Sequence, residues 1–430
     1  MSTLLEDTLR YCKERRFFFK YLSANDVGTT RSHQSGFLMP VATWSMFLPQ
    51  AGIRGRNAEA EAHIQWCDGS ATDSRYEWYG EGTRREYRLT RFGRRFEFRD
   101  DAHVGSVLVM VEIGEHEYWA SVLDADDDID AFLACVGSDA TEAGTILGGT
   151  GRSGTLTLFE SPLVWGGSTL FDSGIQAGFL AAETRTAATG VAVADTPSLV
   201  LEPDLIAGYV RSVPSGFPSA DTVAAQAREI QSRCRAMNPI EEPDRALLDW
   251  QGTEYRLFQA YERHNYERRI SQPFITVDEL VAFANTLLNR RKSRAGSSLE
   301  NHLEYVFGQY HMPFTRGGIT EDGNKPDFIF PGVSQYHAQD YPMSRLVFLG
   351  AKTTCKDRWR QILDEADRIE TKHLFTLQQG ISANQLYQMQ QKKVILVVPG
   401  SYKTSFPEQY RGALLSLKQF IDRTKERVSD

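Results

Sequence analysis

The sequence predicts two domains of different class, a β barrel or sandwich followed by a mixed α/β domain. Three observations predict it. The chain has 430 residues, more than one ordinary domain. Up to residue 180, short runs alternate apolar and polar residues between Gly, Asp and Asn turns. From residue 216 onward the apolar spacing becomes helical, and strands return only later.

In the first domain, 1–180, alternation marks strands at FGRRFEFR (92–99), SVLVMVEI (106–113), EYWASVL (117–123) and GTLTLFES (154–161). Gly149, Gly151 and Gly154 spell GxGxxG, but a strand follows them where a dinucleotide site needs a helix, so they read as a hairpin loop. Residues 181–215 are rich in Ala, Thr, Gly and Pro and read as an interdomain linker, partly ordered. The second domain, 216–430, opens with helices over 220–237 and 242–269. Two more follow with capping boxes, Thr276/Glu279 and Ser297/Glu300. A meander (FTRGGIT, PDFIF at 326–330, RLVFLGAKT at 345–353), a helix over 357–370, the strand VILVVP and a closing helix over 408–427 complete it.

Composition narrows the function class. Hydrophobic residues are 41% and charged residues 24%, which excludes wholesale disorder and coiled coil. Apolar runs stop near eight residues, too short to span a bilayer, and the N-terminus lacks an apolar signal core. Cys12, Cys67, Cys135, Cys234 and Cys355 are scattered and never spaced CxxC, which predicts reduced thiols and a cytoplasmic protein. Net charge is −8, yet the sign is segregated: residues 75–99 hold eight Arg against four Glu, and 100–142 hold twelve Asp or Glu with no Lys or Arg. Phosphate responds to a local basic face, not to the molecular sum. The bland alternative is a solvated hairpin beside an acidic loop.

Chemistry concentrates between 324 and 365. Asp327 stands at a strand start, Lys352 at a strand end, and Glu365 thirteen residues further on in the expected helix. Two carboxylates beside a lysine suit Mg²⁺-dependent phosphodiester hydrolysis, in which hard oxygen ligands hold the ion and an ammonium steadies the developing charge. The common nuclease spacing places an acid two residues before the lysine; here that position is Gly350. The reading requires Glu365 to replace it, with Trp359, Ile362, Leu363 and Ala366 packed on the sheet. By spacing alone, an Asp at a strand start and a Lys at a strand end are more often ordinary surface residues, and Glu365 could be an exposed helix position.

Three segments, NRRKSRAGSSLENHLEYVF (289–307), GNKPDFIFPG (323–332) and LGAKTTCKDRWRQILDEADRIETKHLFTLQQG (349–380), resemble the catalytic domain of the EcoRII family of restriction endonucleases. YLSANDVGTTRSHQSGFLMP (21–40) and TRREYRLTRFGR (83–94) look like that family's effector domain, a DNA-binding β pseudobarrel of the B3 type. The resemblance implies a restriction-endonuclease-like α/β fold in the second half and puts Asp327, Lys352 and Glu365 on catalytic positions, with Asp327 and Glu365 as metal ligands. It implies that Glu300 can join the metal site; as residues alone, Glu300 is equally the capping partner of Ser297. Lys356, Asp357 and Arg358 match the segment that reads C·G pairs, a role their donors and acceptor fit. A helix-start Asp between two solvated cations is the plainer reading. Arg360 adds a phosphate or base contact, and Trp359 reads as core.

Trp250 and Tyr255 are candidates for a base-flipping pocket, although Gln251 stands where the family has arginine and core packing suits Trp250 better. His33, Arg84, Glu86 and Arg88 fall on effector-DNA contacts, with two departures, Leu38 for tyrosine and Tyr87 for lysine. Asn25 and Asp26 read as turn-formers. The resemblance further implies a homodimer, Mg²⁺, double-stranded DNA as partner, a palindrome with outer CC and GG pairs, 5′ overhangs and stimulation by a second site. Two rivals remain open: a repair or recombination nuclease of the same fold, and a two-site DNA-binding regulator without catalysis.

Overall fold

The computed structural model describes residues 2–28, 36–81, 85–93, 96–148, 201–213, 216–235 and 237–429. Phe17–Tyr21 (β1) reads FFFKY without alternation and is buried along its whole length, which fits a strand covered on both faces. It pairs antiparallel with Val107–Gly114 (β6) and with Ile146–Leu147 (β8). Phe37–Met39 (β2), Ala58–Trp66 (β3), Ala71–Tyr79 (β4), Glu86–Thr90 (β5) and Glu117–Leu123 (β7) complete an eight-stranded sheet in the order β2-β5-β4-β3-β7-β6-β1-β8. Its two edges do not pair, yet Phe18 of β1 and Phe37 of β2 share one core with Ile64, Tyr76, Leu89 and Met110. The sheet therefore curls on itself as an open barrel.

Lys20 and Asp26 hold the open seam. The Lys20 ammonium donates to Asp26 and to the Leu38 carbonyl, both at 2.7 Å, and Asp26 also accepts from the backbone N–H of Ser23 and Leu38. Asp26 is thus a buried turn-former that ties β1 to β2. On the outer face, Thr3–Cys12 (α1) and Asp126–Val136 (α2) cover β1, β6 and β7 through Leu5, Phe17, Val109, Ile129 and Phe132.

Strands 106–113 and 117–123 form where expected, within a residue. The described residues of 92–99 do not form the expected strand. Positive φ at Arg91 (67°) and Gly93 (86°) bends the chain, Phe92, Phe96 and Phe98 turn inward onto Trp66, and only a 3₁₀ turn, Glu97–Arg99, is regular. Apolar residues at alternate positions can anchor a loop as well as a strand. The expected strand 154–161 and the glycine motif around it lie outside the described residues. So does 181–200 of the expected linker; its next part is the helix Glu202–Ser212 (α3), packed against Ala220–Cys234 (α4) through Leu205, Val223 and Ile230.

The second domain is built on a five-stranded sheet, β13-β12-β11-β10-β9. Its strands are Thr315–Arg316 (β9), Phe328–Phe330 (β10), Val347–Lys352 (β11), Lys372–Thr376 (β12) and Val394–Val397 (β13). The first three are antiparallel and the last three parallel. Pro243–Ile270 (α5), Val277–Gln309 (α6) and Leu417–Ser429 (α8) cover one face through Leu247, Leu303, Phe307, Phe420 and Ile421; Ala383–Gln391 (α7) and the 355–369 segment cover the other.

Two expectations are corrected here. The helices expected at 276 and 297 are one 33-residue helix, α6, so Ser297 caps nothing; only Thr276, accepting from the Glu279 N–H, is a true N-cap. Residues 357–370 are not a helix. A 3₁₀ turn, Arg358–Ile362, gives way to turns, and Ala366 has φ +53°. The apolar stripe is nevertheless buried: Trp359, Ile362 and Ala366 all face β11 and β12. The strand β12 was not read from sequence, because Lys372 and His373 mask an apolar run.

Candidate active site

β10 and β11 bring the first two groups together. Asp327 directly precedes β10, and Lys352 ends the antiparallel partner β11. The Asp327 carboxylate accepts from the Ala351 N–H at 2.7 Å and from the Lys352 ammonium at 3.3 Å. Glu365 comes to the same place from the turn after the 3₁₀ segment. Burial, and then the neighbouring Asp327 charge, push its carboxyl up to about 7, against the pull of Lys352 and Lys372.

Glu300 reaches the site from α6. Burial and Asp327 also raise its pKa, opposed by Arg316, whose guanidinium donates to it at 2.9 and 3.2 Å. Arg316 also binds Glu304 and Asn301, and in β9 it lies opposite Phe328, next to Asp327. Sequence reading missed Arg316, since a two-residue strand leaves no periodicity to find.

Gly350 occupies the position where the common nuclease spacing puts an acid. A Cβ at 350 would stand 2.9 Å from Ile362 Cγ2, closer than packed carbons allow. With Ile362 filling that space, no carboxylate fits two residues before the lysine.

The reader candidates lie just beyond Lys352, and the first domain covers them. The Asp126 carboxylate accepts from three consecutive backbone N–H groups, those of Lys356 (3.1 Å), Asp357 (2.6 Å) and Arg358 (3.0 Å). Burial raises the Asp126 pKa, and these three donors work against it. The Lys356 side chain is buried against Asp124 at 2.8 Å and Ser106 at 2.5 Å. Burial opposes the Asp124 charge, but His103, Lys356 and Ser106 hold its carboxyl well below the usual range. Arg358 pairs with Asp130 at 2.5 Å and with Asp127 at 2.7 Å. The acidic stretch is therefore no solvated loop; part of it sits on residues 356–358. Arg360 is exposed and stacks over Trp359 at 4.6 Å, and Trp359 is core.

Trp250 packs in the core near His302 and Tyr305. Tyr255 faces the other domain, lining a cavity with Asp139, Arg291, Arg294 and Thr353. The Arg294 guanidinium lies 4.9 Å from its ring centroid and donates to Asp139 of the first domain at 2.8 Å. Trp250 does not line that cavity. In the barrel, Arg88 is buried and donates to Glu86 at 2.8 Å, and Tyr87 faces the core, its hydroxyl accepting from Gly52. His33 and Arg84 lie outside the described residues. Among the described residues, no helix is long and apolar enough to cross a membrane.

Two family models match separate parts of the chain. The family model "EcoRII C terminal" matches residues 258–421, and "Restriction endonuclease EcoRII, N-terminal" matches 12–140. The type II restriction enzyme EcoRII of Escherichia coli is 33% identical, covering 95% of this chain and 94% of its own. The chain belongs to the EcoRII family of restriction endonucleases. Among solved structures, the PspGI–substrate DNA complex overlaps 50% of this chain and 94% of its own at 13% identity, with a TM-score of 0.41. The B3 domain of UbaLAI with cognate DNA overlaps 29% of this chain and 83% of its own at 20% identity, with a TM-score of 0.21. Overlaps of that size leave the family assignment where the sequence puts it.

Proposed function

We propose that this EcoRII-family enzyme cuts double-stranded DNA in both strands at a palindromic site with outer CC and GG pairs, using Mg²⁺ and leaving 5′ overhangs. The observation that carries the reading is the meeting of Asp327, Lys352 and Glu365 at the ends of β10 and β11. Among the described residues no three or more His, Cys, Asp or Glu side chains form a ready metal cluster. The residues fit Mg²⁺ all the same: it needs one or two carboxylates, with water and phosphate filling the remaining positions. Asp327 and Glu365 repel one another in a half-buried site, a repulsion that a divalent cation relieves. Bound there, the ion supplies charge neutralisation and an activated water.

The chain's own groups do the rest. Lys352 directs its ammonium at the scissile phosphate and steadies the charge that develops on its oxygens. The Ala351 N–H fixes the Asp327 carboxylate. Arg316 donates to Glu300 and works against the burial that raises its pKa. Lys356 and Arg358 donate to guanine edges, and Asp357 accepts from cytosine N4.

In this arrangement the reader is engaged by Asp124, Asp126, Asp127 and Asp130, so target DNA competes with the first domain for the same donors. Binding of a second DNA copy to the barrel, in a homodimer that matches the palindrome, frees them. The direct test incubates the protein with Mg²⁺ and plasmids bearing one or several CC-N-GG sites, with Lys352→Ala as control. Discrete fragments, and slow cutting of the single-site plasmid, are expected. Cleavage without a fixed sequence would favour the repair-nuclease reading, and specific binding without cleavage in Mg²⁺ or Mn²⁺ the regulator.

Two further outcomes follow. A proton on Glu365 competes with the cation below pH 7, so the Mg²⁺ concentration for half-maximal cleavage should fall about fivefold from pH 6 to 7 and less than about twofold from 7 to 8. A flat profile would remove Glu365 from the cation site. Arg358→Ala should cost about 1–3 kcal/mol of discrimination between target and mismatched DNA, read by competition binding; unchanged discrimination would take Arg358 out of the reader.

A further inference from the structure

Glu365 reaches the catalytic centre without a helix to carry it, and the turn that presents it needs another support. The next residue, Ala366, has φ +53°, a left-handed conformation that a residue with a Cβ adopts only when its surroundings impose it. The Ile369 N–H donates to the Ala366 carbonyl at 2.9 Å, and the same turn is held by Lys372. It opens β12, is buried to 4% exposure, and pairs through its backbone with Phe348 on β11 and Val394 on β13, so its position is fixed from both sides. Its ammonium donates to the carbonyl of Glu365 and, at 2.6 Å, to that of Ala366. The Phe348 ring centroid lies 5.2 Å away. A buried lysine is costly unless its charge is satisfied, and here two carbonyls of one turn satisfy it. Asn324 Nδ2 also donates to the Asp364 carbonyl at 2.9 Å.

We propose that Lys372 is a positioning residue for the cleavage reaction: by clasping the carbonyls of Glu365 and Ala366 it holds the displaced carboxylate toward Asp327 and Lys352. The proposal rests on the reading of Glu365 as a cation-binding acid. Lys372 touches no reacting atom in this scheme; it does for a turn what successive hydrogen bonds do for a residue on a helix. Asn324 contributes the weaker, exposed tie.

The test uses the full-length protein with Lys372→Met, Lys372→Arg and Glu365→Gln. Three quantities are measured: binding of target DNA without metal, Mn²⁺ binding to the DNA-free protein by electron paramagnetic resonance, and single-turnover cleavage against Mg²⁺ concentration. For Lys372→Met we expect unchanged DNA binding, Mn²⁺ affinity about tenfold weaker and cleavage about 100-fold slower, with half-saturating Mg²⁺ moved upward. Wild-type Mn²⁺ affinity and Mg²⁺ dependence in Lys372→Met would overturn the proposal. Should that variant not fold, Lys372→Arg decides. It keeps the charge but not the compact ammonium, so a shift of about threefold or more in both metal titrations supports the role, and wild-type titrations refute it. Glu365→Gln separates the two levels. If it cleaves normally, the reading of Glu365 and the role of Lys372 fall together; if it is inactive while Lys372→Met behaves as wild type, only the role of Lys372 falls.

Discussion

Alanine at Lys352 or at Glu365 should lower single-turnover cleavage by about 10³-fold or more, roughly 4 kcal/mol of transition-state stabilisation, and leave target binding intact. The two losses have different origins. Lys352 is half-buried on the last residue of β11, beside Asp327, and its removal leaves the phosphate without the cation that meets its developing charge. In the proposed site Glu365 is one of the two acids that share the ion, and without it Asp327 alone must hold it. Added Mg²⁺ should therefore restore part of the Glu365→Ala loss and none of the Lys352→Ala loss. A single-turnover series from 1 to roughly 50 mM Mg²⁺ separates them, given that each ligand lost weakens a site built on few carboxylates. Normal cleavage by either variant would relocate the catalytic centre.

The second large effect has the opposite sign. Asp126→Ala together with Asp130→Ala should speed cleavage of a single-site plasmid by about 10- to 100-fold, because an interface weakened by about 1.4–2.8 kcal/mol shifts an open–closed equilibrium by that factor. Asp126 answers three N–H donors and Asp130 answers Arg358 and Thr354, so the pair removes most of what engages residues 354–358. The stimulation that a second site gives the native protein should shrink by the same factor. If single-site cleavage stays slow in the double variant while DNA binding to the barrel is normal, the acidic segment does not restrain the enzyme.

Much of this was legible in the sequence, and the failures have physical causes. The strands β6 and β7 were read to within a residue because each alternates between a turn and a turn. Asp327 and Lys352 were readable because a carboxylate at a strand start and a lysine at a strand end need no tertiary information to be placed at a sheet edge. Glu365 was expected on a helix because the stripe at 359, 362 and 366 has helical spacing, whereas these side chains reach the sheet from a 3₁₀ turn and a left-handed residue. Burial stripes report which residues face the core, not which hydrogen bonds join them. Ser297 and Glu300 have the capping-box spacing, but helix α6 runs through them because packing on the sheet outweighs a local cap. The acidic run at 100–142 was visible as composition, yet its partner lies more than two hundred residues away, beyond any local pattern.

The continuity of α6 has a mechanical consequence. Arg291 and Arg294 grip the first domain through the Ala134 carbonyl and Asp139, and Glu300 sits six residues further along the same uninterrupted rod. At about 1.5 Å per residue the grip and the acid are roughly 9 Å apart, so a tilt of about 10° at one end carries the other by about 1.5 Å. That is half the length of a hydrogen bond. In the proposed cycle, release of the barrel and adjustment of the acid are thus coupled through one helix, and a glycine pair introduced between residues 294 and 300 should uncouple them.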